Sequence, residues 1–313
     1  MPTDEAGTTV ELLVALKAVA PFSSLPPEDL ALLVERSTLR TWEPGAVLVQ
    51  RRAAVEAIHV VLDGSLVEER AGRAWALREP YEIVGGVDAL AGSSADLEVR
   101  AKVATRTLEL GRESLLEVCY DRFDVLNTIA TGVAAMGIAA RLHLGSSAAL
   151  GDDAASAADL APRELTLPER VAFMRSIPAL RDTPILTLAG VAAESEQVAF
   201  QAGERLWRTG DRADHLLLIV SGVLDCAAGD DVRFALGAHE AAGVLDALAA
   251  VPRWYDATAR TPVVALRSRL SDVMDALEDD PAAAVAGLTQ LARATSALVA
   301  AIPAATTNGR HRP

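Results

Sequence analysis

The feature that most constrains this chain is an internal repeat with a constant spacing. The stretch GGVDALAG at residues 85–92 returns as GVLDALAA at residues 243–250. Because one spacing holds without an insertion over more than forty residues, a chance match is excluded and the sequence predicts two copies of one domain. The identical residues that lie 158 positions apart include Gly45 and Gly203, Leu48 and Leu206, Gly64 and Gly222, Gly85 and Gly243, and Asp88 and Asp246.

Each copy carries the pattern of a mainly β domain with helices at both ends. The runs AIHVVLDGSLVEER and HLLLIVSGVLD are short apolar segments broken at a glycine, which is typical of two strands joined by a tight turn. A helix is expected after Leu25, where prolines and acidic residues open a helical turn, and further helices at roughly 112–144 and 270–302 close the copies. The predicted fold is two antiparallel jelly-roll barrels (double-stranded β-helices) with N-terminal and C-terminal helices.

The composition along the chain divides it into five segments. Domain 1 is placed at residues 12–144 and domain 2 at residues 167–302. Residues 145–166, rich in Gly, Ser, Ala and Asp, have the composition of a flexible linker. Residues 1–11 and 303–313 are expected to be disordered termini.

The charge balance excludes several classes of partner. The 313 residues include 29 Lys and Arg against 43 Asp and Glu, so the net charge is −14. Such a surface repels phosphodiester backbones and anionic lipid head groups, and we therefore expect no nucleic-acid and no membrane partner. The acidic, polar start is unlike a secretory signal, and no apolar run approaches the ~18 residues of a membrane span. A soluble, cytoplasmic protein is expected.

No catalytic or metal-binding arrangement stands out. Cys119 and Cys226 suit space-filling in a core better than a disulfide framework or a metal site. The five histidines are scattered along the chain without metal-ligand spacing. GGVDALAG lacks the Lys-Ser/Thr that follows a nucleoside triphosphate loop, and Ser93 and Ser94 have only acidic neighbours rather than a base. We expect a protein that is not an enzyme and binds no metal.

The segments PFSSLPPEDL, WEPGAVLV, IHVVLDGSLV and GGVDALAG resemble the cyclic nucleotide-binding domain family. Two such domains in tandem are similar to the regulatory subunit of cAMP-dependent protein kinase, and the first copy resembles the sensor domain of catabolite-activator-type regulators. The resemblance implies a phosphate-binding cassette, in which backbone N–H groups of a short helix and an arginine bind the cyclic phosphate. It also implies a glutamate that takes the ribose 2′-hydroxyl.

Both cassettes depart from this family pattern. In domain 1, Gly86 stands at the glutamate position, and the stretch SSADLE at residues 93–98 offers no arginine. In domain 2, Val244 stands at the glutamate position, whereas Arg253 follows a proline as the family arginine does. Arg253 is either a phosphate ligand or a surface or salt-bridged arginine. The degenerate cassette of domain 1 comprises Gly85, Gly86, Val87, Asp88, Ser93 and Ser94, and the candidate ligand-binding residues of domain 2 are Gly243, Val244, Leu245, Asp246, Arg253 and Trp254.

The repeated aspartates, Asp88 and Asp246, stand where the family usually has a small apolar residue. An aspartate in the first turn of a helix can accept hydrogen bonds from free backbone N–H groups. One hypothesis is that each carboxylate stands in for the phosphate, caps its own helix and repels an incoming anion. The alternative is that each carboxylate caps the helix and points to solvent beside the pocket. Trp254 and Tyr255 could stack on a base, cover the barrel mouth or contact the other domain.

The closing helices carry apolar stripes with a spacing of three and four residues. Such stripes suit packing either on the helix's own barrel or on another helix, between domains or in a homodimer. The stripes are Ile129, Val133, Met136 and Ala140 in the first helix, and Val285, Leu288, Ala292, Thr295, Val299 and Ile302 in the second.

These observations predict a non-enzymatic, intracellular regulatory or scaffolding protein. Domain 1 is not expected to bind a cyclic nucleotide, and the protein is expected to act through contacts with a protein partner, with a homodimer through the closing helices as one option. The alternative is a sensor that binds a cyclic nucleotide or another small anion in domain 2 through Arg253. No other cofactor is expected.

Overall fold

The computed structural model describes residues 3–92, 96–146 and 163–302. The chain forms two compact units, of which unit 1 comprises Met1–Leu116 with Ser296–Pro313, and unit 2 comprises Glu117–Thr295. Among the described residues, each unit holds eight strands.

Unit 1 contains two four-stranded antiparallel sheets, with the strand orders β1-β8-β3-β6 and β2-β7-β4-β5. The strands are β1 (Thr38–Trp42), β2 (Val47–Val49), β3 (Ala57–Asp63), β4 (Leu66–Arg70), β5 (Arg73–Arg78), β6 (Ile83–Val84), β7 (Leu97–Ala101) and β8 (Thr105–Gly111). The helices before and between them are α1 (Thr3–Lys17), α2 (Pro27–Glu35) and α3 (Gly86–Ala91). Helix α2 begins at Pro27 and has Glu28 and Asp29 in its first turn, which is the expected chemistry of a helix start.

Unit 2 repeats this arrangement, with the strand orders β9-β16-β11-β14 and β10-β15-β12-β13. The strands are β9 (Glu196–Phe200), β10 (Arg205–Trp207), β11 (His215–Ser221), β12 (Leu224–Ala228), β13 (Val232–Leu236), β14 (Ala241–Ala242), β15 (Asp256–Ala259) and β16 (Val263–Arg269). The remaining helices are α4 (Arg112–Asp121), α5 (Phe123–Leu144), α6 (Leu167–Ser176), α7 (Ile185–Glu194), α8 (Val244–Leu248), α9 (Leu270–Glu278) and α10 (Pro281–Ala301).

The strand orders confirm the predicted fold class and the repeat. Adding eight to the number of each strand in unit 1 gives the order of unit 2 without exception. The buried core of unit 2 lies between its two sheets and is built from inward-facing residues such as Trp207, Ile219, Leu224 and Ala257. The protein is therefore a mainly β chain of two jelly-roll units with flanking helices.

Two repeated glycines show why the β-turn positions are shared by the units. Gly64 and Gly222 have φ angles of +85° and +89°, which L side chains rarely adopt. A Cβ at either position would also overlap a backbone carbonyl oxygen, that of Ala104 in unit 1 and that of Pro262 in unit 2. Glycine is thus required at this turn by both conformation and space.

The compact units do not coincide with the two copies in the sequence. Helix α5 ends the sequence segment 12–144 but belongs to unit 2, and the end of α10 from Ser296 belongs to unit 1. Residues 1–11 were expected to be disordered, but helix α1 begins at Thr3, so this expectation is corrected from Thr3 onward. Most of the linker expected at 145–166, and the tail expected at 303–313, lie outside the described residues.

Helices α5 and α10 are long and apolar enough to cross a membrane, by length and composition alone. This corrects the expectation that no apolar run approaches such a length. Part of each apolar stripe is nevertheless buried in the protein: Ile129, Val133 and Ala140 in α5, and Leu288, Ala292, Thr295 and Val299 in α10. Met136, by contrast, is 47% exposed.

The two stripes meet inside unit 2. The hydroxyl of Thr295 donates to the carbonyl oxygen of Val133 at 3.5 Å, and a Cβ on Gly137 would lie 3.1 Å from that hydroxyl oxygen. These residues therefore pack helix against helix within one chain.

Candidate functional site

The cassette of unit 2 consists of strand β14, Gly243 and helix α8. Gly243 precedes the helix in the left-handed conformation, with φ +78°, and no side chain caps the helix start. The hydroxyl of Tyr255 accepts a hydrogen bond from the N–H of Gly243 at 3.0 Å. Asp246, in the first turn of α8, is fully buried.

Arg253 lies beneath this helix with its side chain shielded from solvent. Its Nη1 is 3.2 Å from Oδ2 of Asp246, and neither side chain is exposed. The same Nη1 donates to the carbonyl oxygen of Gly243 at 3.3 Å, and Nη2 donates to that of His215 at 2.6 Å. The guanidinium also lies over the ring of Trp207, 4.2 Å from its centroid. Arg253 is therefore buried and salt-bridged in this structure, and its role as a phosphate ligand stays a prediction.

The ion pair is not saturated with hydrogen bonds. Oδ1 of Asp246 and Nε of Arg253 are both buried and have no hydrogen-bond partner among the described residues. A buried polar atom without a partner loses its hydration and gains nothing in return. One buried acceptor, Oδ1 of Asp246, and one buried donor, Nε of Arg253, therefore have no hydrogen bond among the described residues.

Aromatic side chains fill the space beside the ion pair. The rings of Phe234 and Trp254 stack with centroids 5.5 Å apart and an interplanar angle of 16°. The guanidinium of Arg141, from helix α5, lies over the ring of Phe234, 4.4 Å from the ring centroid. Trp254 contacts the ring of Tyr255 at 4.8 Å as well, and burial raises the pKa of Tyr255 well above its ordinary value. Trp254 thus packs against the protein's own rings.

Helix α5 also contacts the cassette helix of unit 2. The hydroxyl of Thr131 donates to the carbonyl oxygen of Leu248 at 3.1 Å. A Cβ on Gly137 would lie 3.2 Å from a methyl carbon of Leu245, so the helices approach closely at a residue without a side chain. The last turn of α8 is therefore held against α5.

The cassette of unit 1 is built in the same way but with a different arginine. Gly85, with φ +76°, precedes helix α3, and Asp88 in that helix is 1% exposed. Oδ2 of Asp88 lies 2.7 Å from Nη2 of Arg70, and Oδ1 accepts a hydrogen bond of 2.7 Å from the hydroxyl of Ser296. Ser296 is in the part of α10 that belongs to unit 1. Both oxygens of this carboxylate are engaged.

Further charges accompany Arg70 inside unit 1. Nε of Arg70 is 2.9 Å from Oε1 of Glu68, and Arg78 approaches Oε2 of Glu68 to 2.8 Å. Burial lowers the pKa of Arg70, but Asp88 and Glu68 outweigh it and raise that pKa above its ordinary value. The residues 158 positions after Glu68, Arg70 and Arg78 are apolar or weakly polar, namely Cys226, Ala228 and Leu236.

The two hypotheses for the repeated aspartates share one error. Neither α3 nor α8 has a side-chain cap, so Asp88 and Asp246 do not cap their helices. Nor does either carboxylate point to solvent, because Asp88 is 1% and Asp246 is 0% exposed. Each is instead paired with an arginine, and Arg70 was missed because it lies on a strand outside the cassette. Ser93 and Ser94 lie outside the described residues.

Comparison with known proteins agrees with this geometry. Residues 197–280, from strand β9 to the end of helix α9, match the family model described as cyclic nucleotide-binding domain. This segment of unit 2 is therefore similar to a cyclic nucleotide-binding domain. Because unit 1 has the same strand order and its own glycine-led cassette helix, the chain carries the cyclic nucleotide-binding fold in tandem.

Several solved structures are similar to the tandem. The regulatory domain of protein kinase A from Toxoplasma gondii, crystallised with cAMP, is 17% identical, with 87% of this chain and 96% of that chain covered and a TM-score of 0.36. The regulatory subunit of a cAMP-independent protein kinase A from Trypanosoma cruzi, bound to guanosine, is 14% identical, with 90% and 92% covered and a TM-score of 0.36. At such TM-scores these similarities carry no functional argument. No curated protein matches the chain significantly.

The cyclic nucleotide that this family implies does not fit the cassettes as they are arranged. Among the described cassette residues, Arg253 is the side chain suited to the phosphate, and Asp246 is already paired with it. Val244 and Gly86 offer no carboxylate for a ribose hydroxyl. Trp254, which could stack on a base, stacks on Phe234. A ligand at Arg253 would therefore meet the carboxylate of Asp246, and a base at Trp254 would meet the ring of Phe234.

Proposed function

We propose that this chain is a non-enzymatic, intracellular regulatory protein that acts through contacts with a protein partner. Its two cyclic nucleotide-binding folds serve as a scaffold, and their cassettes are held closed by internal ion pairs. The observation that carries the proposal is the buried pair between Arg253 and Asp246, because the arginine in the family's phosphate-binding position already has an oxyanion beside it.

The carboxylate of Asp246 acts as a built-in substitute for the phosphate. A cyclic phosphate that entered with Asp246 in place would bring two negative charges within ~4 Å, at a cost of about 4 kcal/mol for an effective dielectric constant of 20. That cost corresponds to roughly a thousandfold loss of affinity. Displacing Asp246 instead would bury its carboxylate without an arginine or force it into solvent.

The cassette of unit 1 is closed more completely. Asp88 has Arg70 on one oxygen and Ser296 on the other, so both oxygens of this carboxylate are engaged. Arg70 itself is shared between Asp88 and Glu68. An incoming anion would have to compete with two carboxylates for one guanidinium. We therefore propose that unit 1 does not bind a cyclic nucleotide.

Exposed apolar side chains support a role in protein contacts. At the start of helix α7, Ile185 is 55% and Leu186 is 83% exposed. Adjacent exposed apolar residues favour association with another protein surface. Cys119 and Cys226 are free and buried, which agrees with a reducing compartment, and the net charge of −14 disfavours nucleic acid as the partner.

The proposal is tested by calorimetric titration of the full chain with cAMP and cGMP. The wild type is expected to give no binding heat at ligand concentrations up to about 1 mM, a level that corresponds to only ~4 kcal/mol of binding energy. The variant Asp246→Asn, which keeps the side-chain shape and removes the charge, is expected to gain binding because Arg253 loses its counter-ion. The double variant Asp246→Asn with Arg253→Gln is expected to lose it again.

Two outcomes would contradict the proposal. Micromolar binding by the wild type would show that Asp246 does not close the cassette. An Asp246→Asn variant that folds normally and stays silent would show that its charge is not what excludes the ligand.

A second candidate function is a sensor in unit 2 that binds a cyclic nucleotide or another small anion through Arg253. The buried Nε of Arg253, which has no partner among the described residues, favours it because a ligand oxygen could satisfy this donor. A sensor would gain about 2.7 kcal/mol of stability at a ligand concentration 100 times the Kd. Thermal unfolding with the same nucleotides, compared between the wild type and Arg253→Gln, separates it from the scaffold.

A further inference from the structure

A recess in unit 2 lies on the outer face of the sheet β10-β15-β12-β13 and shares no residue with the cassette. This outer cleft has a volume of about 500 Å³. Asp225 and Ala227, which line it, alternate along strand β12 with the buried Leu224, Cys226 and Ala228, so the cleft is on the side of the sheet away from the core. Its charged and polar lining residues are Arg205, Arg233, Arg260, Asp225, Asp256 and Thr258.

The two acidic residues of the outer cleft already have partners. Oδ1 of Asp225 lies 2.8 Å from Nε of Arg260, with which it forms an ion pair. Oδ1 of Asp256 accepts a hydrogen bond from the backbone N–H of Thr209 at 2.6 Å. The carboxylate of Asp225 is therefore paired with Arg260, whereas Asp256 keeps its negative charge in the cleft, whose lining carries three arginines and two aspartates.

The other two arginines of the cleft are Arg205 and Arg233. Arg205 has no hydrogen bond or ion pair within the described part of the chain, and its side chain is exposed. Arg233 donates only to backbone carbonyl oxygens, those of Gly229 and Val232. Two positive charges thus line one cleft on a chain whose net charge is −14.

The fold does not require arginine at these positions. Unit 1 has the same strand order, and the residues 158 positions before Arg205 and Arg233 are Val47 and Trp75. The arginines are therefore a property of this face of unit 2 and not of the repeat.

The strand register sets the distance between the two arginines. Arg205 is on the edge strand β10, opposite Thr258, and Arg233 is on the other edge strand β13, opposite Ala227. Three strand spacings across the sheet and two residues along it separate them, which places the two backbones about 16 Å apart. Between them on this face, Thr258 and Asp225 share the row of Arg205, and Asp256 and Ala227 share the row of Arg233.

We propose that the outer cleft binds a small organic molecule with two oxyanion groups, one held by Arg205 and one by Arg233. A guanidinium presents its N–H groups as a planar fork that suits phosphate and carboxylate oxygens. The volume is that of a site for a small molecule. The hydroxyl of Thr258 lies between the arginines along the sheet and can bind a hydroxyl or ester oxygen of the same ligand.

The test is calorimetric titration of the full chain with fructose 1,6-bisphosphate, which has a phosphate at each end, and with glucose 6-phosphate, which has one. The bisphosphate is expected to bind at least about tenfold more tightly, since each charge-assisted contact contributes roughly that factor. The variant Arg205→Gln with Arg233→Gln is expected to lose at least about tenfold in affinity for the bisphosphate.

The charge-matched control is Arg212→Gln with Arg269→Gln, two exposed arginines of unit 2 outside the cleft. It is expected to bind the bisphosphate as the wild type does. The proposal is overturned if the wild type does not bind the bisphosphate, if both phosphates bind equally, or if the control loses as much affinity as the cleft variant.

Discussion

Nη1 of Arg253 lies 3.2 Å from Oδ2 of Asp246, and neither side chain is exposed to solvent. A pair buried in this way contributes little net stability over apolar residues, because removing two charges from water offsets most of their attraction. Removing one partner is different, since the other charge stays buried without compensation. The pair is therefore better explained as a determinant of what the cassette can bind than as a source of stability.

The variant Asp246→Ala is expected to destabilise unit 2 by about 3–5 kcal/mol, because it leaves the guanidinium of Arg253 buried and unpaired. Urea unfolding followed by tryptophan fluorescence measures this loss, since Trp207 and Trp254 lie in the affected core. The matched control is Asp246→Leu with Arg253→Met, which removes both charges and should recover most of the stability. If Asp246→Ala were as stable as the wild type, Arg253 and Asp246 would not form a buried ion pair.

The repeat made the fold predictable, because turns such as those at Gly64 and Gly222 recur with one spacing and tolerate no other residue. The same spacing drew attention to Asp88 and Asp246. Their surroundings were beyond prediction from the sequence, since a side chain in a first helical turn can turn outward or inward. Whether the aspartate is buried depends on which residues of the barrel lie beneath its cassette helix.

The arginine partners of these two aspartates were also only partly predictable from the sequence. Arg253 was a candidate because it follows the cassette, whereas Arg70 is 18 residues before Asp88 on strand β4. Arg70 contacts Asp88 because strand β4 and the cassette helix α3 face each other in the fold. A local sequence pattern does not indicate this. Helix α5 likewise ends the first copy in sequence, and its packing on the second cassette, through Thr131 and Leu248, is a tertiary contact that the sequence pattern does not indicate.

Replacing Ser296 by alanine is expected to destabilise unit 1 by about 1.5–3 kcal/mol. The substitution removes a hydrogen bond to an ionised, buried carboxylate and leaves Oδ1 of Asp88 without that donor. The measurement is the midpoint of urea unfolding together with hydrogen exchange in the last turns of α10, where protection should fall.

Ser271→Ala is the matched control for Ser296→Ala. The hydroxyl of Ser271 also binds an aspartate, Asp272, at 3.1 Å, but this contact is exposed. Water replaces the lost hydrogen bond there, so the control should change stability by less than about 0.5 kcal/mol. Equal effects of the two substitutions would mean that burial of Asp88 does not matter.

Gly222→Ala is expected to destabilise unit 2 more than Gly203→Ala does. Both glycines have positive φ angles, +89° and +84°, so alanine costs about 1–2 kcal/mol of backbone strain at either position. Only at Gly222 would the new Cβ also overlap the carbonyl oxygen of Pro262, whereas nothing lies within 4 Å of a Cβ at Gly203. Thermal unfolding of the two variants side by side measures the difference. A Gly203→Ala variant with the lower Tm would contradict this account of the turn.

His59 is expected to make unit 1 less stable at acidic pH. Burial lowers the pKa of His59 from 6.5 to about 4, with Glu109 opposing the shift and Arg40 adding to it. Between these values the unfolded chain binds a proton that the folded chain does not, so stability falls as the pH drops from about 6.5 through 4, by about 3 kcal/mol in total. The variant His59→Phe keeps a ring against Trp42 and has no such proton, so its advantage over the wild type should grow across this window and stay constant above pH 7.5. Denaturant titrations at several pH values measure it, and parallel stability curves for the two proteins would show that His59 is not held neutral by burial.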